Sequence, residues 1–237
     1  MGRDFGSDMR ESFASALEWW RDAGVDTLTE DAPRDWLARP QAAPARLAES
    51  ERPAEVLPDT LEAFLAWRTG EAAPERGWMS GIVPPAGPAG GLMIVLDMPE
   101  AEDEASGVLA SGPGGRLLDR MLAAIGTRRE AVHLAALAVA RPLTGQVPPE
   151  DAERLAYLLR HHITLAAPER LLILGDAVKR LLNATNGAIG APDVSQFNAP
   201  RGTVATVASF SPQFLLQKPA AKAEAWRHLL ALGRGDM

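Results

Sequence analysis

The chain has 237 residues, 46% of them apolar and 23% charged, which fits one sizeable folded core with a smaller appendage. It contains no cysteine, so disulfides, thiolate nucleophiles, thiolate-bound zinc and cysteine-ligated iron–sulfur clusters are excluded. The net charge of −7 lies in the first part: residues 1–90 hold 9 Lys and Arg against 16 Asp and Glu, residues 91–237 hold 15 of each, and no broad basic field exists to bind nucleic acid non-specifically.

No apolar run reaches the roughly 18–20 residues of a membrane span. The opening MGRDFGSDMRE lacks the apolar core of a secretory signal, so a cytoplasmic protein without membrane contact is expected.

Residues 9–23 place Phe13, Leu17 and Trp20 on one helical stripe, with Gly24 as its stop. A short turn or helix is expected over Thr29–Leu37, around Trp36. Residues 38–58, with Pro40, Pro44, Pro53 and Pro58, read as an irregular connector. Asp59 is the expected N-cap of a helix over Leu61–Trp67, with Glu62 completing a capping box. The Gly- and Pro-rich residues 70–91 read as loop.

From residue 92 the pattern alternates. Leu92–Leu96 is a continuous apolar run bounded by Gly91 and Pro99, the signature of a strand buried on both faces. A helix over Arg116–Ile125 follows, then a strand over Val132–Val139 and a helix from Pro149 to about Ala166. A strand over Leu171–Leu174 runs into a helix over Gly175–Leu182. Residues 183–202 read as loop, Thr203–Val207 as a fourth strand, Ala208–Lys218 as loop and Pro219–Leu232 as the last helix. Strands alternating with long helices predict a three-layer αβα sandwich on a four-stranded parallel sheet, behind a helical N-terminal region.

Ligands in such sheets sit beyond the carboxyl ends of the strands. The loop that begins at Asp97 is therefore the expected site. Asp97 is either an acid–base or water-positioning group or a capping carboxylate. Glu100, Glu102, Asp103 and Glu104 either hold a divalent metal or, without EF-hand spacing, form a solvated acidic loop. The Gly-rich Ser111–Arg116, entering a helix, either cradles a phosphate or is a flexible turn, since it matches neither the P-loop nor GxGxxG. His133, His161, His162 and His228 lack ligand spacing and read as packing or surface residues, so no metal is expected. In Ser211–Gln217, Phe214, Leu215 and Leu216 either wedge between DNA bases or fold back on the core.

Taken in order, these landmarks carry a resemblance. They are a strand running to Pro99, the acidic loop, Gly114–Leu122, Arg141-Pro142, Pro149–Asp151 and Leu171–Gly175. Ser211-Pro212 with Leu215-Leu216 follows, then Pro219, Lys222 and Trp226. Residues 59–237 thus resemble the family 4 uracil-DNA glycosylases, with residues 1–58 as an acidic helical region and connector in front. The resemblance implies a uracil-DNA glycosylase-like fold, hydrolysis of an N-glycosidic bond, and DNA, single- or double-stranded, as partner.

It also implies which residues would serve. Asp97 and Ser211 hold the catalytic positions. Met98, Pro99, Ala110 and Ala136 hold the base pocket. Gly114, Gly115, Arg116, Arg201, Pro212, Gln213, Leu215, Leu216 and Lys218 hold the DNA face. The chain departs from the family there: Leu96–Glu100 stands for GEAPG, keeping only the proline. Ala110 replaces the aromatic residue that stacks on uracil, Ala136 the asparagine that reads its edge, and Ser211 the histidine that stabilises the departing anion. Two cluster cysteines fall at Ala140 and Leu155 and another near Trp67, so no cofactor is expected.

The expectation is a degenerate glycosylase-like protein, weak or inactive on uracil, that contacts DNA or binds a protein through its N-terminal region. Two alternatives stand. One is an active glycosylase for uracil or another damaged base, with an open pocket between Asp97, Ala110, Ala136 and Ser211 that Met98 does not fill. The other is a protein-interaction module without a DNA role.

Overall fold

The computed structural model describes residues 14–16, 18–19, 56–78, 80–186, 195–199 and 202–233. The expected turn at Thr29–Leu37, most of the 9–23 helix, most of the connector and Arg201 lie outside the described residues. The chain divides into two units, 1–55 and 56–237. In the first, residues 14–16 and 18–19 are helical.

The second unit is built on a five-stranded sheet. Its strands are β1 (Leu92–Leu96), β2 (His133–Ala136), β3 (Arg170–Leu174), β4 (Ser195–Ala199) and β5 (Gly202–Ser209), in the order β2-β1-β3-β5-β4. All pairs are parallel except β4 with β5. The four-stranded expectation is corrected by β4, an edge strand inside the segment read as loop. In it Phe197 is buried while its neighbours Gln196 and Asn198 are exposed, so there is no apolar run to read.

The helices are α1 (Leu61–Thr69), the one-turn α2 (Asp103–Ser106), α3 (Pro113–Ala124), α4 (Pro149–Ala166), α5 (Asp176–Asn186), α6 (Pro212–Gln217) and α7 (Lys222–Gly233). Successive β1 side chains point to opposite faces. Leu92, Ile94 and Leu96 pack with Leu118, Leu122 and Leu229 of α3 and α7. Met93 and Val95 pack with Leu155, Leu159 and Ile163 of α4 and Val178 and Leu182 of α5. This is the expected three-layer sandwich.

Three local expectations are corrected. The N-cap of α1 is Thr60, whose Oγ1 accepts the Ala63 N–H at 3.3 Å, rather than Asp59. The strand read over Val132–Val139 ends at Ala136. Beyond it Leu137 N–H and Ala138 N–H still bond to the Leu96 and Asp97 carbonyls, at 2.9 and 3.1 Å, as the chain turns away under cover. Residues 212–217, read as loop, form α6, which Ser211 as N-cap and Pro212 at the first helical position start in the ordinary way.

The histidines are packed, as their spacing suggests. His133 and His162 face each other, Nε2 to Nε2 at 2.9 Å, and His133 Nδ1 lies 3.1 Å from the Gly87 carbonyl. His133 therefore carries its proton on Nδ1, and His162 donates from Nε2.

Candidate active site

The strands end in register, Leu96 beside Ala136 and Leu174, and Leu174 beside Ser209. From β1 the chain crosses to β2 on one side and later to β3 on the other, so the switch point lies past Leu96 and Leu174, where such sheets hold ligands. A cleft of about 430 Å³ opens there, lined by Asp97, Met98, Glu100, Glu102, Arg141, Ser211, Pro212, Gln213 and Gln217 among others. Pro99 borders a smaller neighbouring hollow, with Glu104 and Leu143. Ala110 and Ala136 line neither: they are 1% and 5% exposed, packed into the core with Leu109 and Leu134.

Asp97 leaves β1 and meets α5. Its Oδ1 accepts the Val178 N–H at 2.9 Å. A Cβ at Gly175 would lie 2.3 Å from the carboxylate, so only glycine leaves Asp97 room to lean across β3. The residue before α5 has no side chain to cap it, and Asp97 supplies the cap from a neighbouring strand. Burial pushes its carboxyl above the usual range, and the Val178 and Ala177 N–H groups pull the other way.

Of the four acidic residues read together as a solvated loop, only Glu102 and Glu104 are exposed; Asp103 is 0% and Glu100 8% exposed. Asp103 organises the loop. Its carboxylate accepts the N–H groups of Glu100, Ala110 and Ser111, at 2.8, 2.7 and 2.6 Å, and the Ser111 hydroxyl at 2.8 Å. Three backbone donors that would otherwise be buried unpaired are satisfied by one side chain.

Glu100 lies on the glycine-rich start of α3. A Cβ at Gly114 would fall 1.8 Å from its Oε1, and one at Gly112 2.7 Å from Oε2. Burial and then the neighbouring Asp103 raise its pKa, opposed by the Gln213 side chain and the Gly114 N–H. The end of α3 that was weighed as a phosphate cradle thus already faces an internal carboxylate. Gly115 is buried, and Arg116 stands exposed on the first turn of the helix.

Sequence reasoning missed Arg129. Its guanidinium donates to the carbonyls of Leu109, Ala110 and Gly115, at 2.8, 2.9 and 3.2 Å, and pairs with Asp119. It fixes the turn in which Ala110 adopts a φ of +55°. Nothing in the GTRR run around it signals that role.

On the opposite wall, Ser211 Oγ accepts the Phe214 N–H at 3.2 Å and so caps α6. Leu215 is 1% exposed and folds back on the core, whereas Leu216 is 38% exposed. Phe214 stacks on Phe210, and Lys218 Nζ stands 5.1 Å over the Phe214 ring.

The positions implied for cluster cysteines do not fit a cluster. Ala140 and Leu155 are 0% exposed and supply no donor atoms. Nearby, the fully buried pair Arg68–Glu75 is closed on itself, with Glu75 accepting the Val139 N–H at 3.0 Å and Arg68 donating to the Leu137 carbonyl at 3.2 Å. A charge-paired plug of this kind leaves no thiolate site. Among the described residues no group of three or more His, Cys, Asp or Glu is placed to hold a metal ion.

The sequence profile described as "Uracil DNA glycosylase superfamily" matches residues 84–230, more than half of the chain. The chain belongs to the uracil DNA glycosylase superfamily. Among curated proteins it is similar to the type-4 uracil-DNA glycosylase of Pyrobaculum aerophilum, 27% identical over 157 residues, which cover 62% of this chain and 79% of that protein. The matched residues contain every strand of the sheet and both walls of the cleft. Among the described residues no helix is long and apolar enough to cross a membrane.

The mouth of this superfamily member's cleft is acidic. Carboxylates of Asp97, Glu100 and Glu102 line the cleft, with Arg141 as the one cationic lining residue among those described. Arg141 Nη1 donates to the Pro99 carbonyl at 3.1 Å. The wall can accept hydrogen bonds and hold positive charge; it offers little to an anion.

Proposed function

We propose that this chain is a degenerate superfamily member that contacts DNA but does not excise uracil. One observation carries the reading: both hydrolytic candidates are engaged as helix caps, Asp97 on α5 and Ser211 on α6. Uracil excision needs a flipped base held by stacking and edge hydrogen bonds, with donors aimed at the departing anion. Ala110 and Ala136 stack on nothing and read nothing in the cleft, being packed in the core. Three carboxylates around the cleft repel an anion rather than stabilise it. Loss of one such donor commonly costs about 10²–10³ in rate, and here stacker, reader and donor are all replaced.

The test is uracil release from single- and double-stranded oligonucleotides by the full chain. No release above the protein-free control is expected. Robust release that Asp97→Ala abolishes overturns the reading. DNA contact is tested by gel shift across a salt series. The exposed Arg116, Leu216 and Lys218 support it, and binding is expected to weaken with salt and with Arg116→Ala, Arg201→Ala and Lys218→Ala. Salt-independent absence of binding removes the DNA role.

A further inference from the structure

We propose that the cleft takes a cationic, ring-alkylated purine base flipped out of DNA and hydrolyses its glycosidic bond. This rests on the reading above, in which the chain contacts DNA and does not excise uracil. The first support is charge. Asp97, Glu100 and Glu102 face one guanidinium, Arg141, whose Nη1 is already committed to the Pro99 carbonyl. The ion pairs formed among the described residues, such as Arg68–Glu75 and Arg129–Asp119, include none of the three.

The second support is independent of the first. Glu100 is 8% exposed, lines the cleft, and its Oε2 has no hydrogen-bond partner. A buried carboxylate oxygen left without a donor is costly, and a cationic ring carrying amino hydrogens relieves that cost. Its raised pKa has the same origin, burial and then the neighbouring Asp103. The cleft, at about 430 Å³, is within the roughly 300–1,000 Å³ of small-molecule sites and has room for a two-ring base.

The third support is the leaving group. Uracil departs as an anion and needs a donor to receive the charge. A purine alkylated at N3 or N7 is already a cation. When the C1′–N9 bond breaks, its electron pair passes to N9 and leaves a neutral base. A water oxygen bonds to C1′, and the proton it gives up passes to solvent. Atoms and charge balance with water as the sole co-reactant. Nothing in the step requires the anion stabiliser that Ser211 replaces. The carboxylates that oppose uracil release favour the positive charge on the sugar as it develops.

The experiment incubates the full chain with DNA methylated by dimethyl sulfate and, in parallel, with uracil-containing DNA, and measures free bases by chromatography. Release of 3-methyladenine or 7-methylguanine at least tenfold above the spontaneous rate is expected, with no uracil. Glu100→Gln should lower that release at least tenfold with unchanged melting. Should Glu100→Gln fail to fold, the exposed Glu102→Gln decides, with a several-fold loss expected. Methylated purines released only at the spontaneous rate, or release unchanged by the folded variants, overturn the inference and leave the underlying reading standing. Uracil release overturns the underlying reading.

Discussion

The carboxylate of Glu100 rests on the backbone of Gly114 so closely that a methyl group at that position would fall 1.8 Å from Oε1. The Glu100 carboxylate occupies the space that a side chain at residue 114 would need. Gly114→Ala in the native background is expected to cost about 1–3 kcal/mol as an overpacked site. In a Glu100→Gly background the same change should stabilise α3 by up to about 1 kcal/mol through helix propensity. A double-mutant cycle in urea checks this, with a coupling above about 1 kcal/mol expected. Gly115→Ala should be worse in either background, because its methyl would meet the Ala110 carbonyl, a backbone atom that Arg129 holds at 2.9 Å.

Asp97→Ala removes the cap of α5. A loss of about 1 kcal/mol is expected, typical of an N-cap. Faster amide exchange at Ala177 and Val178 should accompany it, since those N–H groups lose their carboxylate. Unchanged exchange there would show that the carboxylate does not hold the helix.

The His133–His162 pair makes stability depend on pH. Burial, then the neighbouring His133, lowers the pKa of His162 from 6.5 to about 3. The folded form therefore resists a proton that the unfolded chain accepts. The contribution is fully present above pH 6.5 and is lost as pH falls from there toward about 3. The unfolding free energy should fall by about 1.4 kcal/mol per pH unit from this group inside that window. Urea titrations at several pH values measure the slope, and His162→Phe should flatten it.

The Arg68–Glu75 plug, bonded to the chain just past the end of β2, is a buried ion pair. Glu75→Ala strands the Arg68 guanidinium, whose side chain is 4% exposed, and should cost about 3–5 kcal/mol. Replacing both partners, Arg68→Met with Glu75→Leu, should recover much of that loss, although the Val139 N–H would lose its acceptor. Thermal melting of the three variants checks the order.

Much of the fold was legible in the chain. The apolar runs Leu92–Leu96 and Leu171–Leu174 mark strands buried on both faces, because a parallel sheet under two helical layers leaves no solvent face to alternate toward. The helices of 116–125, 149–166 and 219–232 follow from apolar spacing. The edge strand β4 was not legible, since Phe197 is buried between the exposed Gln196 and Asn198 and gives no apolar run. The α6 helix was legible only as a Ser-Pro start, and its six residues are too short to show a period.

The sequence by itself determined that Asp97 follows a buried strand at the ligand edge and that no thiolate can hold a cluster. Only the tertiary structure decided what the acidic loop does. Asp103 and Glu100 are drawn inside while Glu102 stays in water, a difference that four neighbouring carboxylates in a chain do not reveal. It arises because the backbone N–H groups of residues 100, 110 and 111 need acceptors, and the loop folds back on itself to bring these donors, three to eight residues away, to Asp103. The cap of α5, by contrast, reaches across the fold, so that Asp97 serves a helix that begins at Asp176. Long-range hydrogen bonds of this kind depend on where the sheet places its strand ends, and no local pattern encodes them.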